Sequence, residues 1–472
     1  MIVRDAPKVE FLKSLGVRDV ALMVVIAVVS LRWIPRAARA GWPSMSLWCL
    51  AGLCFFLPLA VVAVELSARY PQQGGTYIWA REAFGPRHAF FCGWCLWLNE
   101  VFYFPSYLLF ALANLLLLGG ETWAGLAKNR IFCTAIVLGL LWGLTALNVL
   151  GLQVTKWFQN LGTLGIWVPV GLLFAAVALV VARSGPAATP HLSDILPRGG
   201  SLGALGLWSS MCFAFSGMEI AGMVGQEIRN PRRTIPLGLG MGGAAIVLLY
   251  LGGSAAILTV TPAPQISERT GISDAIQFAT HSAQLASLAS ALIAIAAIAT
   301  TSSWIAGSAR LPYAAAAEGR LPAFLARVHP RFRTPHAALI VQAAVASGAL
   351  VVSMFLNVQN QSTTVEEAYD VLVNLTILIY FIPYLYMFLV PLRLKAPAAD
   401  AKLPIIPFGR TGRILASTLG MLTTAIAIVL LFIPPPGTHS VWNFESNLIL
   451  QSSVIFAAGL LMDRFRNRSQ AE

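Results

Sequence analysis

Long apolar segments recur along the whole chain, and their length limits the fold more than any other feature. A helix needs about 20 apolar residues to cross the roughly 30 Å of hydrocarbon in a bilayer. Only 11% of the residues are charged and 57% are hydrophobic, whereas about 25% of the residues of a soluble domain are charged. We therefore predict an all-α membrane protein of about 12 transmembrane helices. The predicted spans are approximately 17–38, 44–66, 88–118, 131–150, 156–182, 203–226, 234–260, 281–309, 334–356, 366–394, 411–433 and 446–463.

The distribution of Lys and Arg residues sets the expected orientation of these helices. Cytoplasmic segments of membrane proteins carry an excess of basic residues. Most of the 32 Lys and Arg residues fall on one side if both termini are cytoplasmic. The N-terminal segment is charged throughout and lacks the pattern of a cleavable signal peptide. We expect an integral protein of the cytoplasmic (inner) membrane with both termini in the cytoplasm. The net charge of +12 does not indicate nucleic-acid binding, because the basic residues are spread over short connecting segments.

Two of the predicted helices are interrupted at corresponding places. In the first helix, the apolar run stops at Arg32 and Pro35 follows; in the sixth, Ser216-Gly217 interrupts a run of small and aromatic residues. This spacing is typical of two inverted five-helix repeats, whose broken helices meet at a binding site near the membrane midplane. An ordinary proline or glycine kink is the alternative at either place.

The proposed repeats divide the chain into five parts. The two ends are a cytoplasmic N-terminal segment, 1–16, and a cytoplasmic tail, 464–472. Between them lie the first five-helix repeat at 17–190, the second five-helix repeat at 200–395, and helices eleven and twelve at 411–463. The last two helices lie outside the repeat.

The sequence carries no pattern typical of an enzyme, a metal site or a cofactor site. The six cysteines lie in apolar helices, and the six histidines lie in loops or at predicted helix ends. Cys92 and Cys95 form a C-x-x-C pattern without a histidine or carboxylate at ligand spacing. No glycine-rich loop for ATP phosphates is present. We expect no catalytic residue, no metal and no cofactor.

Four segments of the sequence are specific enough to indicate a family. They are E-L-S-A-R-Y-P-Q-Q-G-G-T-Y (65–77), F-S-G-M-E-I-A-G (215–222), Q-E-I-R-N-P-R-R-T-I-P (226–236) and S-W-I-A-G-S-A-R-L-P-Y-A-A-A-A-E-G-R-L-P (303–322). They resemble the amino acid–polyamine–organocation (APC) superfamily of secondary transporters. The resemblance extends over roughly residues 15–395. It implies a LeuT-type 5+5 inverted repeat with helices 1 and 6 broken, and transport of an amino acid or related amine.

Within this superfamily, segments 30–35 and 97–106 look most like the glutamate:GABA antiporter branch, and the third helix is also similar to polyamine permeases. The chain departs from the superfamily at two places. Many members hold the substrate carboxylate on the amides of a Gly-Ser-Gly stretch in the first helix, where this chain has Val29-Ser30-Leu31. Some proton-coupled members carry a lysine midway along the fifth helix, where this chain has Gly165-Ile166.

Three arginines follow the first interruption. Arg32, Arg36 and Arg39 share one face if the helix continues, because their spacing is i, i+4, i+7. One interpretation is a cationic lining of an outer vestibule, in which Ser30 and Arg32 hold a substrate carboxylate. The other interpretation is a charge cluster on the outer surface.

The remaining candidates lie on the third, sixth and eighth helices. Glu100, close to Tyr103, is a carboxylate at membrane depth that could bind an amine or carry a proton, with an interhelical hydrogen bond as the alternative. Backbone carbonyls at the sixth-helix interruption could accept a hydrogen bond from a substrate ammonium. The polar patch around Trp304 either faces the cavity or packs against helices. The substrate-binding candidates are Ser30, Arg32, Glu100, Tyr103, Phe213, Ala214, Phe215, Ser216, Gly217, Glu219 and Trp304.

The resemblance adds roles at the sixth helix. It implies that Phe213 closes over a bound amine as a lid, with Phe215 as a second aromatic residue beside the interruption. It also implies a gating or proton-sensing role for Glu219. The alternative for Glu219 is a carboxylate that only accepts hydrogen bonds from unwound backbone amides.

We predict a secondary active transporter (permease) that moves an amino acid or related amine across the cytoplasmic membrane by alternating access, with antiport as one mode. A polyamine uptake permease with Glu100 and Glu219 as cation ligands is an alternative. A sensor that binds an amino acid without transporting it is an alternative of another class. The expected partners are the small-molecule substrate and the lipid bilayer, and the sequence does not indicate an oligomeric state.

Overall fold

Helices make up nearly all of the described chain. The computed structural model describes residues 15–70, 75–185, 191–196, 202–218, 228–317, 319–355, 364–394, 409–434 and 441–469. The α-helices are α1 Val17–Val28, α2 Trp33–Ala38, α3 Ser44–Ala51, α4 Leu57–Arg69, α5 Thr76–Phe84, α6 Pro86–Leu116, α7 Glu121–Ala124, α8 Arg130–Leu150, α9 Leu152–Ser184, α10 Leu192–Ile195, α11 Leu202–Ala214, α12 Pro231–Val260, α13 Gly271–Thr280, α14 Ala283–Ser308, α15 Arg310–Ala317, α16 His336–Phe355, α17 Val365–Arg393, α18 Gly409–Leu430 and α19 Val441–Ser469.

Short helices of other types join several of these elements. A π-helical turn, Gly52–Phe56, connects α3 to α4, so that the two form one continuous crossing. The 3₁₀ turns are Leu117–Gly119, Leu126–Lys128, Ala263–Gln265 and Ala323–Ala326.

The described chain contains 10 helical segments that are long and apolar enough to cross a membrane. This confirms the prediction of an all-helical membrane protein. The first and sixth predicted crossings are not among the ten, because α1 has 12 residues and α11 has 13. Residues 219–227, where the sixth crossing was predicted to resume and end, lie outside the described residues. The count of 12 crossings therefore stays a prediction.

The chain leaves helical geometry at both places where the sequence predicted an interruption. Residues 29–32 separate α1 from α2, and α11 ends at Ala214. Gly217 follows with φ +107°, a left-handed conformation that favours glycine. A Cβ on Gly217 would lie 3.4 Å from the Val28 side chain and 3.5 Å from the Ala27 carbonyl oxygen. The two interruptions therefore adjoin each other.

Tyr250 of α12 joins the two interruptions through its hydroxyl group. The hydroxyl accepts a hydrogen bond from the Ser30 amide at 3.2 Å, and it lies 3.0 Å from the Val28 carbonyl oxygen and 3.2 Å from that of Ala214. A phenol carries one proton, so it donates to one of these carbonyls at a time. The buried ring stacks on Trp48, with 4.7 Å between centroids. One side chain thus serves backbone groups of both interruptions.

Glycines bring two pairs of helices into close contact. A Cβ on Gly242 of α12 would lie 2.9 Å from the Ala21 carbonyl oxygen of α1, and a Cβ on Gly165 of α9 would lie 2.3 Å from that of Leu292 in α14. Small residues let membrane helices approach closely and gain van der Waals contact. The neutral position at Gly165 is therefore a helix contact that leaves no room for a longer side chain.

We expect Gly165→Ala to lower stability by about 1–3 kcal/mol, because the added methyl group would overlap the Leu292 backbone. Gly171→Ala in the same helix is the matched control, since nothing lies within 4 Å of an added Cβ there and alanine favours the helix over glycine. The midpoint of thermal unfolding of the purified protein should fall for Gly165→Ala alone. Equal midpoints for the two variants would contradict this account of the contact.

Tyr250→Phe keeps the aromatic ring but removes the hydroxyl group shared by the interruptions. We expect a loss of about 1–3 kcal/mol, because buried backbone groups would lose their hydrogen-bond partner. Hydrogen exchange at the Ser30 amide should be faster in this variant than in the native protein. Tyr313→Phe, at a half-buried tyrosine of α15, is the control. Native exchange at Ser30 in Tyr250→Phe would rule out the proposed contact.

Candidate functional site

A cavity of about 70 Å³ lies where the two interruptions meet α6, α14 and α17. Its walls bring together residues that are up to several hundred positions apart in the chain. The predicted site residues that line it are Ser30, Glu100, Tyr103, Phe213, Ser216, Gly217 and Trp304.

The other predicted site residues are placed differently. The Ala214 carbonyl faces the Tyr250 hydroxyl at 3.2 Å rather than the cavity. Phe215 is fully buried and packs against Trp48 and Phe56. Arg32 also does not line the cavity, and Glu219 lies outside the described residues.

Arg32 is fully buried and is surrounded by aromatic rings. Its guanidinium lies over the rings of Trp33, Tyr103 and Tyr107, at 4.2, 4.9 and 5.1 Å from their centroids. Its Nη1 donates a hydrogen bond to the Ser106 hydroxyl at 3.1 Å. Such cation–π contacts are strongest when the cation is removed from water. Since Trp33 and Tyr103 line the cavity and Arg32 does not, the positive charge lies behind an aromatic wall.

Glu100 supplies negative charge to the cavity wall. Its side chain is 9% exposed, and its Oε2 atom is buried without a hydrogen-bond partner among the described residues. A buried carboxylate oxygen without a partner is unfavourable. A ligand ammonium group or a proton would satisfy it. No Lys or Arg from the described part of the chain lines this cavity.

Aromatic rings line the same cavity as this carboxylate. Trp33 and Phe213 are in edge contact, with 5.4 Å between centroids, and Phe213 makes a similar contact with Tyr380 at 5.5 Å. The negative face of an aromatic ring attracts cations. The combination of a carboxylate and several rings is therefore suited to an organic ammonium group. The aromatic residues that line the cavity are Trp33, Tyr103, Phe213, Trp304 and Tyr380.

Two of the backbone amides at the interruptions already have hydrogen-bond acceptors. The Ser30 amide donates to the Tyr250 hydroxyl at 3.2 Å, and the Gly217 amide donates to the Tyr384 hydroxyl at 3.0 Å. The Ser216 hydroxyl, by contrast, is buried and has no partner in the described ranges. These amides therefore offer less to a substrate carboxylate than bare main-chain groups would.

A buried ion network lies next to the cavity at the end of α2. Arg36 donates to the Ser210 hydroxyl at 2.8 Å and to the Asn374 side-chain oxygen at 3.0 Å. Its Nη1 forms ion pairs with Glu268 and, at 2.7 Å, with Asp370. Arg36 therefore joins α2 to α11, to α17 and to the segment between α12 and α13.

Arg39 extends this network toward the surface. Its Nη1 lies 2.5 Å from Glu268 Oε1, and its side chain is 22% exposed against 2% for Arg36. Burial alone raises the pKa of Glu268, but Arg36 and Arg39 outweigh this effect and hold the pKa below its usual value. Arg36 is thus neither an open vestibule lining nor a surface charge. Buried charges of this kind require close partners.

Some residues of the site were not among the predicted ones. Trp33 and Asn99 line the cavity and directly adjoin predicted positions, so their location could have been inferred from the interruption and from Glu100. Tyr250 gave no local signal, because its carbonyl partners are 222 and 36 residues away.

The chain matches known transport proteins over nearly its whole length. The family model described as amino acid permease matches residues 15–458. Similar proteins include an uncharacterised transporter of Legionella pneumophila, 30% identical over 93% of this chain and 94% of that protein. The glutamate/gamma-aminobutyrate antiporter of Lactococcus lactis is 25% identical over 87% of this chain and 82% of that protein. A probable agmatine/putrescine antiporter of the same species is 24% identical over 71% of this chain and 72% of that protein.

The family and these relatives are transporters and not enzymes, in agreement with the membrane-spanning helices and the cavity between them. The chain belongs to the amino acid permease family of the APC superfamily and is an integral membrane transporter.

Proposed function

We propose that this protein is a secondary transporter that moves an amino acid or related amine across the cytoplasmic membrane by alternating access. The substrate site is the cavity lined by Ser30, Glu100 and Phe213. The observation that carries the proposal is the unpartnered carboxylate oxygen of Glu100 inside an aromatic cavity. This cavity lies where two interrupted helices adjoin, as in transporters built from inverted repeats.

We further propose 12 crossings in two inverted five-helix repeats, 17–190 and 200–395, followed by helices eleven and twelve. One interrupted crossing consists of α1 and α2, and the other is the segment that begins with α11. Together with the 10 long spans they make the proposed 12 crossings. An even number of crossings puts both termini on one side, and the bias of basic residues places that side in the cytoplasm. The adjoining interruptions support this arrangement.

The substrate ammonium group binds between Glu100 and the surrounding rings. The carbonyl of Phe213 or Ser216 accepts a further hydrogen bond, while the Ala214 carbonyl is shared with Tyr250. Arg32 acts through its charge from behind Tyr103, which favours a substrate that also carries a carboxylate.

In the orientation proposed above, we infer that Trp33 and Phe213 close the cavity on its outer side. Both rings line the cavity, and they lie on the chain segments that lead from the interruptions to Arg36 of α2 and to its partner Ser210 of α11. Outward opening requires the separation of α2 and α11 from α17, and hence of Arg36 from Asp370. Phe213 is the lid over the bound amine.

A second candidate substrate class is supported by the charge of the cavity wall. Glu100 lines the cavity, whereas no basic side chain from the described ranges does. An amine without a carboxylate, such as a diamine, would need no basic partner. Among the relatives, one is described as a glutamate/gamma-aminobutyrate antiporter and another as a probable agmatine/putrescine antiporter, so similarity does not choose between the two classes.

Counterflow in proteoliposomes tests the function and the substrate class together. The panel contains amino acids, GABA and polyamines, each measured at two pH values. Uptake of an amino acid supports the main proposal. Uptake of putrescine supports the second candidate if spermidine inhibits this uptake and glutamate does not. Binding without flux under any gradient would contradict transport and support a sensor.

We expect Glu100→Gln to reduce counterflow of the accepted substrate about tenfold or more, because a charge-assisted contact with the ammonium group is lost. Glu82→Gln is the control, since the Glu82 side chain is 42% exposed on α5. Full activity of Glu100→Gln would exclude Glu100 as the ammonium ligand.

We expect Arg36→Gln to open the outer side of the cavity. Removing one partner of a buried ion pair costs about 3–5 kcal/mol, and Glu268 and Asp370 would then face each other without this cation. In a cysteine-free background carrying Ser30→Cys, a membrane-impermeant maleimide added outside should label the cavity about tenfold faster or more.

Arg269→Gln is the control for this labelling experiment. It removes an ion pair with the exposed Glu366, at 3.3 Å, and such surface pairs contribute about 0–1 kcal/mol. Labelling should therefore stay at the native rate. If Arg36→Gln is also labelled at the native rate, the ion network does not close the cavity.

A further inference from the structure

A second cavity, of about 250 Å³, lies between α5, α6 and α15. Aromatic side chains form much of its wall, including Phe90, Trp94 and Trp97 of α6. Two arginines also line it, Arg81 of α5 and Arg320 of the segment after α15. We refer to it below as the inner cavity.

The inner cavity follows the substrate cavity along two helices. Gly93 lines the inner cavity and precedes Glu100 by seven residues, and Leu311 lines it and follows Trp304 by seven residues. Residues seven apart on one helix, such as Gly93 and Glu100 of α6, lie on the same face, about 10 Å from each other along the axis. Trp97, one turn from Glu100, belongs to the wall of the inner cavity. The walls of the two cavities therefore come within one helical turn of each other on α6.

Chain direction places the inner cavity opposite the ion network. The α2 segment carries Arg36 away from the substrate cavity, and the α3–α4 crossing returns the chain to the other side, where α5 lies and α6 begins. In the orientation proposed above, this side is the cytoplasm. The inner cavity therefore lies between the substrate site and the cytoplasm.

The charged side chains that line the two cavities differ in sign. Arg81 and Arg320 line the inner cavity, and no Asp or Glu from the described ranges does. The pair between Arg81 and Glu82, at 3.4 Å, joins two side chains that are 45% and 42% exposed. An exposed pair of this kind is weak and competes little with a ligand. Arg320 donates to the Pro86 carbonyl at 3.0 Å, which holds its guanidinium near the beginning of α6.

We propose that the inner cavity binds a small organic anion with an apolar body, such as an arylacetate. The carboxylate binds Arg81 and Arg320, because the planar guanidinium matches a carboxylate in geometry and charge. The ring packs among Trp94, Trp97 and Phe90, where offset and edge contacts between rings are favourable. The site is distinct from the substrate cavity, whose charged lining residue is Glu100.

An anion bound there lies across the path between the substrate site and the cytoplasm. It therefore inhibits transport when added on the cytoplasmic side and not when added outside. This sidedness rests on the proposed function and orientation. The binding itself depends only on the inner cavity and can be measured without transport.

The binding experiment uses the purified full-length protein and radiolabelled phenylacetate in a scintillation proximity assay. Phenylacetamide is a neutral analogue of similar shape. Its competition should be weaker by a factor of about ten at least, because it lacks the charge that the arginines recognise. The double variant Arg81→Gln with Arg320→Gln should lose binding by a similar factor. Arg81→Lys with Arg320→Lys keeps the positive charge and should bind with intermediate affinity, which also shows that the cavity still folds.

Arg87→Gln is the matched control, since Arg87 is an exposed residue of α6 that is not part of the cavity wall. It should bind phenylacetate as the native protein does. Equal competition by phenylacetamide, or native affinity in the double glutamine variant, would overturn the proposal. Displacement of phenylacetate by phosphatidylglycerol in nanodiscs would also overturn it, because a lipid phosphate would then be the occupant.

The transport arm uses proteoliposomes in which phenylacetate is added to one side at a time, and initial rates are measured by rapid mixing before the protonated acid crosses the bilayer. Inhibition from the cytoplasmic side alone is expected, with loss of inhibition in the double glutamine variant. If the native protein shows no flux with any substrate, the proposed function fails while the binding assay still decides the inner cavity. If flux is present and phenylacetate binds but never inhibits, the inner cavity does not lie on the transport path.

Discussion

The absence of water inside a bilayer is the constraint on which this architecture depends. A helix that ends within the membrane exposes amides and carbonyls that lipid cannot satisfy. This chain satisfies them at the two interruptions with phenol groups: Tyr250 serves Val28, Ser30 and Ala214, and Tyr384 serves Gly217. Because these tyrosines come from α12 and α17, the interruptions are held by their neighbours, and a polar cavity can exist between apolar helices.

The same constraint explains the different positions of the arginines. A buried guanidinium needs acceptors or aromatic faces. Arg36 forms ion pairs with Glu268 and Asp370 and donates hydrogen bonds to two neutral side chains. It is therefore part of a contact between helices. Arg32 obtains aromatic faces and Ser106. Although the two arginines are only four residues apart, Arg36 joins several helices while Arg32 contributes positive charge behind an aromatic wall.

Features that depend on local sequence could be predicted. Apolar length predicted the long helices, and the residues around Ser30 and Gly217 predicted the places where α1 and α11 end and most of the cavity lining. Features that depend on distant partners could not. Arg36 meets Asp370 across 334 positions, and nothing near Arg36 indicates which acid it will find. The i, i+4, i+7 spacing of the arginines assumed one continuous helix, but Arg32 precedes the first residue of α2, so its surroundings differ from those of Arg36.

The contact geometry at Tyr250 has a consequence for the backbone beside the cavity. Two carbonyl oxygens compete for one phenolic hydrogen, so rotation about the C–O bond changes which of them keeps an unfilled lone pair. The polarity next to the Ser30 amide can therefore change by a torsion of one bond, before any helix moves.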